Sequence, residues 1–522
     1  MLLEKPGTGE RDSAAALSRG ACWSAQARTL LQSMRSAFRH KWVWSIVCAL
    51  TAGLALRLVW VAFFQDFDDD SGVYAALAKN LLVNHAYALD NPFHLTSIRM
   101  PAYPVFMAIV FSIFGIENYD AVCWVEAFID IGTCLLLAGF VRDHVSRRAA
   151  LVTLWIACLC PFTANYAAVP MTECLSLFFI ALGMFAAGRL VHSINARSIT
   201  SHMGRRWVWF LLTVAALIGS IGMRPDGVLL AGAIVPSIWW YTRKTAPKEG
   251  LRTAAFCALL TILPLVPWTI RNYRVYHVFQ PLAPRSAMDP TQTSQEGFER
   301  WTTTWEIEFV SVGEIWWRGG EAIDIRLLPS RAFDTPEEYQ ETAKLIVDHN
   351  QPCALKPDDP LCPCPITPEL DARFEALAEQ RIHRHPLRQY VELPLFRLTD
   401  MWFRPRIEYL NDAIPERWWE WSKHPPQTCF AIAYALLNLL LLVVGAVGFA
   451  RRKVPLQAML LAYVFLRCVL LLLMPNAEDR YTLEALPIAM VGAGIILARP
   501  EPKANDPQFR ARRDRRSPVR CD

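Results

Sequence analysis

Three adjacent acids, Asp68-Asp69-Asp70, close the first long apolar stretch of the chain, and Tyr74 follows Asp70 by four residues. On a helix starting there, Asp70 and Tyr74 share one face. Such a run of like charge beside hydrocarbon reads either as a solvated helix stop or as a carboxylate held just above a membrane surface, where a lipid-borne head group sits. Arg99 then stands directly ahead of Pro101-Ala102-Tyr103-Pro104 and an apolar segment. A cation beside a proline-initiated helix N-terminus can meet a phosphate; a snorkelling anchor is the other reading of Arg99. Glu173 (in Pro170-Met171-Thr172-Glu173), Arg224 (in MRPDG), Arg271 (in PWTIRNYR) and Arg480 (in EDRYTLEALP) each stand at the end of an apolar stretch. An ionisable group there needs a partner or a polar cavity.

These residue types suit transfer of a sugar from a lipid phosphate. The leaving group is already a stable anion, so arginines can hold it and no general acid is required. The acceptor hydroxyl needs a base, which a carboxylate supplies, as in inverting sugar chemistry. No glycine-rich nucleotide fingerprint is present, and nothing points to nucleic acid.

The elements that must position this layer are apolar helices. Hydrophobic residues make up 53% of the 522, and they come in blocks of about 18 or more, long enough to cross a hydrocarbon layer. The predicted spans are Trp42–Phe64, Tyr119–Val141, Ala149–Val169, Pro170–His192, Trp207–Met223, Pro225–Thr242, Thr253–Ile270, Thr428–Ala450, Pro455–Met474 and Leu483–Ala498, about ten in all. Loops rich in Lys or Arg (Arg142–Arg148, the stretch through Arg197, Arg205 and Arg206, Thr242–Arg252, Arg451-Arg452-Lys453) alternate with acidic or mixed ones. With both ends cytoplasmic, one topology satisfies the positive-inside rule throughout, and the candidate layer faces outward. The expected organisation is a partly disordered cytoplasmic N-terminus (1–41), a membrane core (42–270) carrying a first outer loop (65–118), a long outer loop (271–427), C-terminal spans (428–498) and a basic tail (499–522).

The first outer loop holds two short helical patterns, SGVYAALAKNLLVN and PAYPVFMAIVFSIFG, read as interfacial or re-entrant helices. The long outer loop is rich in tryptophan (Trp301, Trp305, Trp316, Trp317, Trp402, Trp418, Trp419, Trp421). Tryptophan favours the membrane interface, which predicts that this loop lies against the bilayer; stacking on sugar rings is the alternative. Most of the 14 cysteines lie in apolar blocks, but Cys353, Cys362 and Cys364 share a polar loop where one pair could form a disulfide in an oxidising compartment.

The set Asp70-Ser71-x-x-Tyr74-x-x-x-Ala78-x-Asn80-Leu81-Leu82, Arg99-x-Pro101-x-Tyr103-Pro104, Thr172-Glu173, Arg224-Pro225-Asp226-Gly227, Pro267-Trp268-x-x-Arg271-Asn272 and Arg480-Tyr481 resembles the GT-C glycosyltransferases. Among them it is most similar to the bacterial family 39 group, related to protein O-mannosyltransferases and aminoarabinose transferases. The resemblance implies an all-α polytopic GT-C fold in the bacterial inner membrane, with its site toward the periplasm. It implies a polyprenyl-phosphate-linked sugar donor and an acceptor lipid, glycan or protein, with Asp70 and Glu173 as the catalytic acids. Arg99, Tyr74, Tyr103, Arg224, Arg271, Arg480 and Tyr481 would serve the donor and its phosphate. In some members a carboxylate directly before the phosphate-side cation helps bind a metal. Here that residue is Ile98 and nearby His94 is a lone loop histidine, so no cofactor is expected, with a divalent metal left open. The alternatives are a transporter or flippase for a sugar-linked lipid, whose charged sites belong near mid-membrane in broken helices, and a non-catalytic sugar-lipid binding protein.

Overall fold

The computed structural model describes residues 41–67, 69–89, 94–196, 203–284, 295–317, 319–354, 364–410, 414 and 417–498. The N-terminal lead-in before residue 41, Asp68, Arg197, Cys362 and the tail from 499 lie outside the described residues, as do the side chains of Arg205 and Cys353. The chain divides into Met1–Ala52 and Gly53–Asp522. In the first unit the described residues are helical and begin α1 (Lys41–Phe63). The remainder concerns the second unit.

After α1 come α2 (Asp69–Val83), α3 (Ala102–Phe114), α4 (Tyr119–His144), α5 (Arg147–Cys158), α6 (Pro161–Asn165), α7 (Thr172–Asn195), α8 (Met203–Met223), α9 (Val228–Thr242), α10 (Pro247–Ile262) and α11 (Leu265–Tyr276). No strand occurs among the described residues. Local signals set the boundaries. Asn118 and Ser146 cap α4 and α5 by accepting bonds from Ala121 N and Ala149 N. Proline lacks an amide hydrogen, and Pro161 and Pro264 stand where the helical runs break: α5 meets the helix Pro161–Ala168 at 48°, and α10 gives way to α11.

Among the described residues, six helices are long and apolar enough to cross a membrane: Lys41–Phe63, Tyr119–His144, Thr172–Asn195, Arg206–Met223, Pro247–Tyr276 and Pro425–Arg451. They coincide with six of the predicted spans, and the chain is an integral membrane protein. The predicted span Ala149–Val169 is the bent pair. The predicted spans Pro225–Thr242, Pro455–Met474 and Leu483–Ala498 contain shorter helices of 15, 16 and 12 residues. Twelve residues rise only about 18 Å. That last helix, α20 (Leu486–Leu497), is buried nearly all round and packs on α5 and α17 (Pro425–Arg451). Glycine permits that contact: a Cβ on Gly448 would collide with the backbone of Gly492. Between α1 and α4 the two expected short helices are present as α2 and α3, packed on each other.

A buried ion pair braces the core. Arg57 Nε donates to Asp130 Oδ2 at 2.7 Å, and Arg57 Nη1 donates to the carbonyls of Gly53 and Cys158, each at 2.9 Å. The pair ties α1, α4 and α5 together, and removing one partner of such a pair costs about 3–5 kcal/mol.

The segment between α11 and α17 is helical: α12 (Glu296–Thr303), the single turn α13 (Phe309–Ser311), α14 (Pro336–Ala354), α15 (Pro368–Arg384) and α16 (Leu393–Phe403). Its core gathers Phe298, Trp301, Trp305, Ile315, Leu345, Phe374 and Leu377. This corrects the reading as bilayer anchors for Trp301 and Trp305, which are 0% and 1% exposed. Burying an indole removes roughly 200 Å² from water, about 5 kcal/mol of transfer free energy, so the domain core claims them. Trp317, Trp419 and Trp421 are exposed. Cys364 is disulfide-bonded.

Candidate active site

Asp70 lies in the first turn of α2, where the helix dipole favours an anion. Arg99 Nη2 meets its Oδ1 at 2.5 Å, and Arg480 Nη1 meets its Oδ2 at 2.9 Å. Arg480 opens α19 (Arg480–Leu483), on the connection between α18 (Gln457–Leu472) and α20. One carboxylate therefore receives guanidiniums from two distant loops. Burial pushes the Asp70 carboxyl up, but Arg480 and Arg99 outweigh it and hold it well below the usual carboxylate range. Tyr74, one turn along α2, has Arg99 over its ring at 5.8 Å. Burial, with Asp70 adding to it, pushes the Tyr74 hydroxyl up to about 12, so it stays protonated.

Local structure places Arg99. Asn80 Nδ2 donates to the carbonyl of Ala88 at 2.9 Å, and Ala88 and Leu95 form an antiparallel bridge. The Tyr87 hydroxyl donates to Arg99 O at 3.0 Å. Arg271 buckles this turn from α11: it donates to the carbonyls of Thr96 and Tyr87 at 2.7 and 3.2 Å, and its guanidinium lies over the Tyr87 and Trp268 rings. Tyr103 is fully buried, edge-on to Tyr74 at 4.9 Å, and its hydroxyl donates to Glu126 at 2.7 Å. Tyr103 thus backs Tyr74 and holds a buried carboxyl of α4.

Glu173 and Arg224 form a second group. Arg224 Nη1 donates to Glu173 Oε1 at 2.5 Å, and its Nε to Asp226 Oδ1 at 3.3 Å. Glu484 lies 3.8 Å from the same Nε. Arg467 closes the group, donating to Asp226 at 2.6 Å and Glu484 at 2.7 Å. The turn carrying Arg224 depends on Gly227, where a Cβ would strike the Ser220 carbonyl. Tyr481 sits between the two groups, its ring facing Arg224 at 5.5 Å and Arg480 at 5.6 Å.

The structure therefore joins Asp70, Tyr74, Arg99 and Arg480 in one group, Glu173 and Arg224 in another, and sets Tyr481 between them. Arg271 grips backbone, and Tyr103 lies behind. Sequence reasoning missed Glu478, which is 2% exposed and pairs with Arg480, and Tyr409, whose hydroxyl accepts from Arg480 at 3.4 Å. Glu478 stood in the same EDRY motif as Arg480, a signal that was available. Arg467 stood as a lone charge inside a predicted span, a signal that was also available, whereas Tyr409 lies in unremarkable sequence and only folding brings it in. Among the described residues, no group of three His, Cys, Asp or Glu side chains is gathered to hold a metal ion.

In comparisons by sequence, no protein family and no curated protein matches the chain. In structure the chain is similar to the Archaeoglobus fulgidus oligosaccharyltransferase tethered to an acceptor peptide containing the NVT sequon. Identity is 11% and the TM-score 0.49, over 87% of this chain and 49% of that one; the chain thus spans about half the length of that protein. It is also similar to ArnT from Cupriavidus metallidurans bound to undecaprenyl phosphate, at 14% identity and a TM-score of 0.39, over 86% of this chain and 77% of that one.

Proposed function

We propose that this protein is a GT-C membrane glycosyltransferase that moves a sugar from a polyprenyl-phosphate donor to an acceptor hydroxyl, with inversion, on the non-cytoplasmic face. The observation that carries this reading is the Asp70 carboxylate held between Arg99 and Arg480, beside the motif set that resembles this superfamily. The alternation of basic and acidic loops supports the outward placement.

In the reaction the acceptor oxygen bonds to the anomeric carbon as the bond from that carbon to the phosphate oxygen breaks. The electron pair stays on the phosphate, and the acceptor proton passes to Asp70. Arg99 and Arg480 face the charge that grows on the phosphate, which is where fixed cations lower a barrier most. The resting pairs have a consequence: a donor phosphate competes with Asp70 for the Arg99 guanidinium, while Arg480 stays anchored on Glu478. As the phosphate takes Arg99, the carboxyl loses one of the cations that depress it and becomes a stronger base, so donor binding readies the base. Glu173 holds Arg224 at the second group, where Arg224 can turn toward the donor across Tyr481.

The test is transfer in membranes loaded with labelled polyprenyl-phosphate sugars, comparing the parent with Asp70→Asn at matched expression. Transfer that disappears in the variant supports the reading. Transfer that persists removes Asp70 as the base, and lipid movement without transfer by the parent would point to a flippase.

A further inference from the structure

Arg480 has two carboxylate partners. Its Nη1 donates to Asp70 at 2.9 Å, and its Nε pairs with Glu478 Oε2. The other Glu478 oxygen accepts from Asn476 Nδ2 and from the Tyr481 hydroxyl, the latter at 2.6 Å. Glu478 is thereby fixed on both oxygens and enclosed, so it is not placed to touch an acceptor.

We propose that Glu478 is a positioning residue for the transfer reaction and sets, through Arg480, how firmly Asp70 is held. This inference rests on the reading of Asp70 as the base. A guanidinium shared between two carboxylates gives each less than it would give one alone. Anchoring Nε on Glu478 also keeps Nη1 aimed at Asp70. Without the Glu478 charge, the full positive charge of Arg480 falls on Asp70, whose anion is then stabilised further and is a weaker base.

The groups facing Glu478 act in known directions. Burial pushes its carboxyl up, and Arg480 and the Tyr481 hydroxyl oppose that while Asp70 adds to it. Glu306, between α12 and α13, also lies within its field. Glu306 is fully buried, and neither of its oxygens receives a hydrogen bond. Burial raises it to about 8, so near neutral pH it is mostly uncharged and leaves the balance around Arg480 to Glu478 and Asp70.

The experiment is the pH dependence of labelled-sugar transfer at saturating polyprenyl-phosphate sugar, in membranes carrying their own acceptors, for the parent, Glu478→Gln and Glu478→Asp. Saturation makes the profile report groups in the donor complex. For Glu478→Gln the acid limb should move about one pH unit lower than in the parent, with a several-fold lower plateau. Glu478→Asp should fall between the two. A Gln variant that loses the same fraction of activity at every pH, with its limb unmoved, has lost only structure, and that result overturns the inference. Should the Gln variant not fold, an unmoved limb in Glu478→Asp overturns it as well. A parent without transfer, or an active Asp70→Asn, overturns the reading of Asp70 itself and this inference with it. An active parent with a dead Asp70→Asn leaves the limb to decide on Glu478 alone.

Discussion

Asp70 and Arg480 are 410 residues apart in the chain and joined at 2.9 Å in the fold. Because Arg480 also binds Glu478, it is held whether or not Asp70 keeps its charge. Asp70→Asn is therefore expected to leave the site assembled while lowering transfer about 10²- to 10⁴-fold, the range of a lost general base. Steady-state transfer rates, beside a size-exclusion profile matching the parent, check both halves.

Arg224 pairs with the buried Glu173 and the half-buried Asp226. Arg224→Met should orphan Glu173, since Asp226 keeps Arg467, and cost about 3–5 kcal/mol. Thermal unfolding in detergent should show a lowered midpoint, whereas Glu173→Gln, which leaves Arg224 with Asp226 and Glu484, should lower it less.

Glu306 gives a pH signature to stability. Its ordinary value lies near 4.5, and burial raises it to about 8 in the fold. Between these values the folded protein holds a proton that the unfolded chain releases. Stability from this group is thus greatest below about pH 4.5 and falls by about 1.4 kcal/mol per pH unit until the folded group ionises. Glu306→Gln should flatten that decline and raise the unfolding midpoint at pH 8 more than at pH 5. Equal midpoint changes at the two pH values would falsify the assignment.

Trp301 and Trp419 make a matched pair of tests. Trp301 is buried in the core formed by α12 to α15 and Trp419 is 46% exposed. Trp301→Ala should destabilise by about 3–5 kcal/mol, and Trp419→Ala should lie within about 0.5 kcal/mol of the parent. Limited proteolysis between α11 and α17 reads the difference directly.

Arg271→Lys retains charge but cannot reproduce the fork that holds two carbonyls and stacks between two rings. Hydrogen exchange at the Thr96 amide, which bonds to the Tyr87 carbonyl at 3.0 Å, should quicken. If exchange is unchanged and only donor affinity falls, Arg271 is a phosphate ligand and not a buckle.

The long spans were legible because an apolar run of that length has few other physical outcomes. Asp70, Arg99, Glu173, Arg224 and Arg480 were legible because charge at the edge of an apolar run is costly. What escaped the sequence follows from the same logic. Glu478 looked like one more acid in an outer turn, since its partner on each oxygen is fixed only by folding. Arg271 resembled its neighbours in type and depth, but its environment is carbonyl oxygen. Trp301 and Trp305 satisfied the composition of an interface belt and of a small domain core equally well, and only the helices packed around them decide between the two.

The link from Asp70 to Arg480 also imposes an order on biosynthesis. Chains emerge at roughly 5–20 residues per second, so Asp70 waits on the order of 20 to 80 seconds before Arg480 is made. Over that interval the nascent protein has Arg99 as its cation and no Glu478 to balance a second one. A ribosome that stalls between the two residues leaves a chain in which Asp70 has met Arg99 alone.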